Sequence, residues 1–421
     1  MSYFVSIKRS LGGVFYGWWI VASSFIVFLI CGGVAYYGST AFFNPIAEEF
    51  HWSAAQVSWA FSLRSLESGI IAPLIGFLID KVGVRKVTIF GMVVSGLGFI
   101  LTSYTNSLAF FYWAFLLTSV GLSCGLGTQY VAVANWFSKR RTWVMGIMSA
   151  GFAFSGVMGP VLVWLIRQYG WRESLVITGV VTWVVGIPLS LVLRHRPEPY
   201  GYLPDGETRN TSYQSKPVST QSSEPTGLSG RQAMATRAFW LLIIFGTLTG
   251  FAISAIGVHE MPYLTSIGIS REIGGWVILG ITGSSLIGRL GFGWLGDRYD
   301  KRYLLAIGAA LQFFGVLVFA SIDSLWMFIP FLLLYGPGYA SQMPLYPAIR
   351  ADYFGLKHYA TIGGLLSLSW TISGILAPVL AGWVFDVWGS YRPIWLAYAA
   401  ATALAIPSVL LIKKQERANR F

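Results

Sequence analysis

The sequence predicts an all-α integral membrane protein whose twelve transmembrane helices form two pseudo-symmetric bundles of six. Two observations lead to this fold class: the composition is that of a membrane protein, and a short motif occurs twice at a long interval. Of the 421 residues, 55% are hydrophobic and only 11% are charged, whereas a soluble domain has about 25% charged residues. A chain of this length accommodates roughly 12 apolar spans of about 20 residues with their loops.

The repeated motif consists of a glycine, an aspartate four residues later and a following group of basic residues. It occupies Gly76–Lys86 and again Gly293–Arg302, so Asp80 and Asp297 lie 217 positions apart. The same offset relates Trp136 to Tyr353, Phe137 to Phe354, and Gly146 to Gly363. This shared register indicates an internal duplication. Transporter folds build a binding site at the interface between such apolar repeats.

Apolar runs predict the spans in order along the chain. They cover 15–38, 54–79, 86–104, 108–134, 142–166 and 174–193 in the first half, and 239–264, 273–295, 303–321, 325–348, 359–384 and 394–412 in the second. The first span follows Lys8 and Arg9, but it is too long for a signal peptide and lacks a small-residue cleavage site. Cys31 and Cys124 both fall within spans, so we expect neither a disulfide framework nor a metal site from them.

A polar segment joins the two halves. We assign 1–194 to an N-terminal six-helix bundle, 195–237 to a cytoplasmic linker and 238–421 to a C-terminal six-helix bundle. Within the linker, Thr208–Ser229 has no hydrophobic periodicity, which predicts a flexible tether.

The net charge of +12 follows the predicted topology. Of the 29 Lys and Arg residues, we place 23 at the two termini and in the loops on one side of the membrane. Only four fall on the other side: Arg167, Arg172, Arg271 and Arg392. The positive-inside rule then makes both termini cytoplasmic, in a plasma (inner) membrane. We expect the basic loop 139–141 to meet anionic lipid of the bilayer, no binding of nucleic acid, and a monomer.

The repeated motif resembles the signature of the major facilitator superfamily, which follows the second helix and returns in degenerate form after the eighth. The resemblance covers the whole chain: twelve spans, a six-plus-six duplication and a long central loop. It implies that Asp80, Arg85, Asp297 and Arg298 belong to cytoplasmic charge networks that hold one conformation and release in the other. The alternative is that the two aspartates only terminate helices.

Three shorter motifs narrow the resemblance: Tyr16–Trp19, Asn135–Arg141 followed by Gly146, and Arg196–Gly206. Together they resemble the bacterial relatives of monocarboxylate transporters, a branch near the oxalate:formate exchangers. In that family an arginine of the eighth helix receives the substrate carboxylate, and Arg289 occupies the matching position.

Two positions depart from the animal members of that family. Ser285 stands where they have an aspartate, and Tyr37 stands where they have a lysine. Because both missing groups are linked to proton coupling in the animal proteins, the resemblance does not carry the coupling mechanism over to this chain.

The residues themselves also single out Arg289. A charged group at a helix centre costs roughly 2.5–3.5 kcal/mol, and Arg289 precedes Asp297 by eight residues, which is about 12 Å of helix. No acid lies three or four residues away on the same helix, and a guanidinium offers two parallel donors to a carboxylate. We predict that Arg289 binds a lactate-sized anion. The alternatives are snorkelling to the cytoplasm and a fixed ion pair.

Glu67 is a candidate for proton coupling in the second span. Arg64 lies one turn away, so a structural pair within the helix is the alternative.

His259 and Glu260 are further candidates, near the extracellular end of the seventh span. Histidine titrates at the pH where a proton-driven carrier operates. The pair differs in height from Arg289 by more than about 10 Å, so both meet one anion only where the helix breaks between Gly257 and Pro262. The alternative is a residue at the membrane interface in contact with water.

Spans 1, 4, 7 and 10 line the cavity in the geometry that the resemblance implies. The polar side chains that they offer to a substrate are Tyr36, Tyr37, Gln129, Tyr130, Tyr335, Tyr339 and Gln342. We expect about three of these seven to be contacts.

The leading hypothesis is a secondary active transporter that moves a small monocarboxylate, lactate- or pyruvate-like, together with a proton by alternating access. We expect no enzyme activity and no cofactor: the four histidines are scattered, and no phosphate-binding loop supports ATP-driven transport. An organic anion exchanger is the alternative, and a second basic group such as Arg64 favours it. A non-transporting membrane receptor is the alternative from another class, but it needs a folded cytoplasmic region.

Overall fold

The structure, a computed structural model, describes residues 14–34, 39–207 and 227–413. The helices of the first half are α1 Gly17–Gly32, α2 Ser39–Phe50, α3 Ala54–Val82, α4 Val84–Ser103, α5 Leu108–Trp136, α6 Arg141–Phe154 and α7 Met158–Val192. Those of the second are α8 Gly230–Met234, α9 Arg237–Ser266, α10 Arg271–Gly296, α11 Lys301–Ala320, α12 Phe328–Ala340, α13 Gln342–Phe354, α14 Tyr359–Leu366, α15 Leu368–Trp388 and α16 Arg392–Leu410.

These helices reproduce the predicted spans. Eight helical stretches of the described chain are long and apolar enough to cross a membrane. One of them, 141–192, turns at Gly170, where φ is 82°, a left-handed conformation that glycine adopts without strain. That turn separates the predicted fifth and sixth spans. The tenth span is built from α12 and α13, and the eleventh from α14 and α15.

Buried polar networks tie α1 to α5 in the first half and join α9, α11 and α13 in the second. In the first half, Ser24 Oγ donates to Gln129 Oε1 at 2.8 Å, and Gln129 Nε2 donates to the carbonyl of Gly125. In the second, Thr249 donates to Gln342 Oε1 at 3.1 Å, and Gln342 Nε2 donates to Gln312 Oε1 at 3.0 Å.

Both ends of the described chain lie on one side of the bundle, which we call the linker face. There, Tyr16 at the start of α1 donates its hydroxyl to the carbonyl of Val192, the last residue of α7. Arg302 at the start of α11 donates to the carbonyl of Ile412. The linker face also carries the ends of α3 and α10, with Asp80 and Asp297. The other side of the bundle is the opposite face.

The two halves meet in the part of the bundle next to the linker face. There α3 packs on α14 and α15, and α6 packs on α10, two contacts that the repeat relates to each other. The backbones touch: a Cβ atom at Gly76 would overlap the carbonyl oxygen of Ala360, and one at Gly146 would overlap that of Arg289. The linker face is therefore closed in this conformation.

Candidate substrate-binding and gating site

Arg289 lies at the contact between the halves, about 12 Å inside the linker face. Its side chain is only 2% exposed. Its Nη1 donates to the backbone carbonyl of Ser149 on α6 at 3.0 Å, and its Cζ lies 5.7 Å from the centroid of the Phe152 ring. The guanidinium thus reaches across from the second half to the first.

Within the part of the chain that the structure describes, no acid neutralises this arginine. None of the salt bridges formed by the described residues includes Arg289, and its buried Nε has no hydrogen-bond partner. Ser285, one turn earlier, is fully buried and donates to the carbonyl of Thr282. A buried donor without a partner is costly, so the site favours an added anion.

Asp80 and Asp297 each cap a helix of the other half. Asp297 accepts from the backbone amides of Thr142 at 2.7 Å and of Trp143 at 2.9 Å, in the first turn of α6. Asp80 accepts from the amides of Ala360 at 3.2 Å and of Thr361 at 2.8 Å, in the first turn of α14. A helix N-terminus carries a partial positive charge and unpaired amides. The two carboxylates therefore fasten the linker face shut.

The two arginines of the predicted charge networks stay within their own halves. Arg85 Nε donates to the carbonyl of Leu193 at 2.9 Å and so fastens α4 to the end of α7. Arg298 is exposed and lies over the ring of Trp294 at 3.5 Å.

His259 is held within the second half. Its Nδ1 lies 3.1 Å from the Tyr391 hydroxyl and its Nε2 lies 2.9 Å from the Pro378 carbonyl. Helix α9 runs through Gly257 and Pro262 without a break, so His259 does not approach Arg289 in the way that a broken helix would permit.

Glu260, the next residue, has different surroundings. It is 7% exposed, and its Oε1 has no hydrogen-bond partner among the described residues.

Glu67 faces its own half. Ser119 Oγ on α5 donates to Glu67 Oε2 at 2.6 Å, and the side chain is 6% exposed. The charge of Arg64 also acts on Glu67. The structure therefore places Glu67 between α3 and α5.

The seven polar side chains predicted for the cavity divide into three groups. Tyr36 and Tyr37 lie outside the described residues. Gln129 and Gln342 are fully occupied by the polar networks of their halves, which favours a structural role. Of the three tyrosines left, Tyr335 is buried between the rings of Phe331 and Tyr339. Tyr130 and Tyr339 are partly exposed, and the charge of Arg289 reaches Tyr130.

The sequence matches the family model described as Major Facilitator Superfamily over residues 23–283 and again over 241–420. The chain belongs to the major facilitator superfamily. It is accordingly a membrane transporter and not an enzyme.

Relatives of this transporter agree with the narrower resemblance. Monocarboxylate transporter 12 of Rattus norvegicus is 25% identical over 416 residues, which cover 94% of this chain and 85% of the relative. A Bacillus subtilis (strain 168) protein named uncharacterized MFS-type transporter YcxA is 27% identical over 402 residues, which cover 89% of this chain and 90% of the relative. The resemblance to the monocarboxylate-transporter branch is thereby confirmed.

Solved transporter structures have the same fold. The human organic anion transporter MFSD10 (TETRAN) superposes with a TM-score of 0.69 at 15% identity, over 93% of this chain and 99% of that chain. The transporter FucP in its outward conformation also gives 0.69 at 15% identity, over 93% of this chain and 97% of that chain. These similarities, together with the helix order, confirm the predicted major facilitator fold.

The linker face of this superfamily member also carries a group of ion pairs that the sequence did not predict. Asp352 at the end of α13 pairs with Lys301 at 2.7 Å and, across the halves, with Arg141 at 3.6 Å. The available signal was the scarcity of acids: Asp352 is one of only 17 Asp and Glu residues in the chain. The sequence predicted lipid contact for the basic loop that contains Arg141, and no partner in the other half.

Proposed function

We propose that this transporter moves small monocarboxylates by alternating access, with Arg289 as the receptor of the carboxylate. One observation carries the proposal: a buried guanidinium at the contact between the halves has, among the described residues, no acid beside it and no acceptor for its Nε. The names of its relatives support the substrate class. The proposal includes a multi-pass protein of the plasma (inner) membrane with a cytoplasmic linker face, working as a monomer.

The bond from Arg289 to the Ser149 carbonyl suggests how binding promotes opening. A carboxylate that enters from the opposite face is a stronger acceptor than a backbone carbonyl. It would draw the guanidinium away from Ser149 and remove one bond between α6 and α10. The two aspartate caps and the Arg141–Asp352 ion pair still join the halves, and they open when the halves rock apart. Substrate binding thereby weakens the deepest contact of the closed linker face.

Replacing Arg289 with lysine tests the carboxylate role. The charge remains but the planar pair of donors is lost, and a hydrogen bond to a charged group contributes about 1.5–3 kcal/mol. We expect the rate of lactate uptake into proteoliposomes at low substrate concentration to fall roughly 10- to 100-fold. Arg298→Lys, two residues beyond the end of the same helix and exposed, is the matched control and should transport normally. Normal uptake by Arg289→Lys would refute the role.

We further propose that transport is coupled to a proton and that Glu260 is the first candidate to carry it. Glu260 is buried with an unpartnered oxygen, whereas both ring nitrogens of its neighbour His259 already have partners. Glu67 is the second candidate, since one of its oxygens is also unpartnered. In this proposal the proton carrier lies in the second half, which also contains Arg289.

Adjacent substitutions separate these coupling candidates. Glu260→Gln should abolish the stimulation of uptake by an inwardly directed proton gradient, while leaving counterflow between equal internal and external substrate. His259→Gln should leave that stimulation intact. A gradient response that survives in Glu260→Gln and disappears in Glu67→Gln would move the proton carrier to α3. No gradient response in the wild-type protein, with active counterflow, would instead favour an organic anion exchanger.

A further inference from the structure

The chain that follows α7 stays in contact with the first half. Residues 194–207, which we call the linker hook, fold back onto the linker face. Trp136 Nε1 donates to the Arg194 carbonyl at 2.9 Å, and Asn135 Nδ2 donates to the His195 carbonyl at 2.8 Å. The Arg194 guanidinium lies over the ring of Tyr16 at 3.8 Å. This packing is not expected of a solvated tether.

Asp205 is the residue with which the hook grips the bundle. Its Oδ2 accepts from the backbone amides of Ser138 at 2.9 Å and of Lys139 at 2.8 Å. Its backbone has a φ of 61°, one of two positive values among the described non-glycine residues. Residues in this conformation are held there by their surroundings. The surroundings here aim a carboxylate at the loop between α5 and α6.

That loop leads directly into the first turn of α6, where the Asp297 cap closes the linker face. We call the two aspartate caps, Asp80 on α14 and Asp297 on α6, the linker-face gate. The amides of Thr142 and Trp143 hold Asp297 of the other half. These two residues lie only three to five positions after the residues that Asp205 binds. Two carboxylates thus converge on the start of α6, one from the linker and one from the second half. Each is favoured by the positive end of the helix, and the first fixes the loop that presents amides to the second.

The far end of the linker binds the equivalent loop of the second half. The Leu228 amide donates to the Phe354 carbonyl at 2.9 Å, and Gly227 pairs with Gly355. Phe354 is the repeat counterpart of Phe137, which immediately precedes the Ser138 amide bound by Asp205. The two ends of the linker therefore contact the same loop in both repeats.

We propose that the linker hook is a built-in part of the linker-face gate, with Asp205 as a positioning residue that holds the start of α6 in place for Asp297. The inference rests on the alternating access in the proposed function. It does not depend on the identity of the substrate or on proton coupling.

The test measures the opening of the linker face without substrate. Spin labels at Lys81 and Tyr299, exposed residues of the two halves, report their separation in a background with Cys31 and Cys124 replaced by alanine. Asp205→Gly removes the carboxylate and suits the backbone conformation. By analogy with loss of a helix cap, we expect it to raise the open population roughly 2- to 30-fold.

Two companion variants make the test specific. Asp205→Asn keeps an acceptor oxygen and should change the distances much less than Asp205→Gly. Glu207→Gln removes only the exposed ion pair with Lys139 and should change nothing. Equal distance distributions in all three variants and the wild type would overturn the proposal, as would a lowered melting temperature of Asp205→Gly with unchanged distances. The spin-label distances do not depend on whether Arg289→Lys loses uptake. The proposed role of the linker hook and the proposed carboxylate role of Arg289 can therefore fail separately.

Discussion

At the scale of single residues, the arginine at the centre of the bundle is best understood through what surrounds it. Arg289 is buried and donates one bond to a backbone carbonyl of the other half. No described residue accepts from its Nε. Burial of a charge without a partner is expensive, and a folded protein tolerates it where function requires it. In the proposed function, an anion that binds from solution supplies the missing partner.

His195 in the linker hook gives a pH-dependent prediction. Burial lowers the pKa of this histidine, Arg196 acts in the same direction, and Asp80 opposes them. The docked hook therefore holds fewer protons than a released one. Docking is strongest above the free pKa of about 6.5 and weakens as the pH falls through that value.

Hydrogen exchange can detect this weakening. Protection of residues 194–207, corrected for intrinsic rates, should fall between pH 7.5 and pH 5.5 in the wild-type protein. His195→Gln should abolish most of that difference. An equal loss of protection in both proteins would assign the effect to another group.

The sequence predicted some of these residue environments and not others. The absence of an acid one turn from Arg289 was visible in the sequence, because it depends only on helical spacing. The Ser149 carbonyl was not predictable, since any backbone carbonyl of a facing helix can serve. The sequence predicts Gln129 and Gln342 as substrate contacts, but a polar residue in an apolar helix does not show which neighbour its side chain faces. The neighbouring helices decide this: Gln129 accepts from Ser24, and Gln342 donates to Gln312.

At the scale of helices, the contact between α6 and α10 is a backbone-to-backbone contact that only glycine permits. Gly146→Ala places a Cβ against the carbonyl oxygen of Arg289, and a backbone atom cannot yield as a flexible side chain can. We expect the two helices to separate at the linker face. The Lys81–Tyr299 spin-label distance should lengthen in this variant.

The matched control for this substitution is Gly257→Ala on α9. An added Cβ at Gly257 meets nothing within 4 Å, so the variant should keep the wild-type distances. Unchanged distances in Gly146→Ala would mean that α6 and α10 are not what closes the linker face.

The helices and the linker differ in how well the sequence predicted them. The twelve spans follow from apolar runs and from turns such as the one at Gly170, which are local features. The docking of 194–207 was not foreseen, because Pro, Gly and charge typify a tether as well as a tightly packed loop. What distinguishes the two is the surface below, formed by Trp136, Asn135 and the amides before α6. Residues distant in the chain create that surface.

At the scale of the whole molecule, the duplication produces a symmetrical gate. Each half supplies one aspartate and one helix N-terminus, so the linker face is closed by two equivalent caps. Rocking of the halves about the central contact breaks both caps together, which suits alternating access. The central arginine belongs to only one half, so in the proposed function the two halves contribute unequally to carboxylate binding.

The account's central claim is tested most directly by uptake of labelled C2–C5 carboxylic acids into proteoliposomes, with and without an imposed proton gradient. We predict saturable uptake of one or a few small monocarboxylates, stimulated by the gradient and strongly reduced in Arg289→Lys. Saturable transport only of uncharged or cationic solutes, with no response to monocarboxylates or to Arg289→Lys, would contradict the claim.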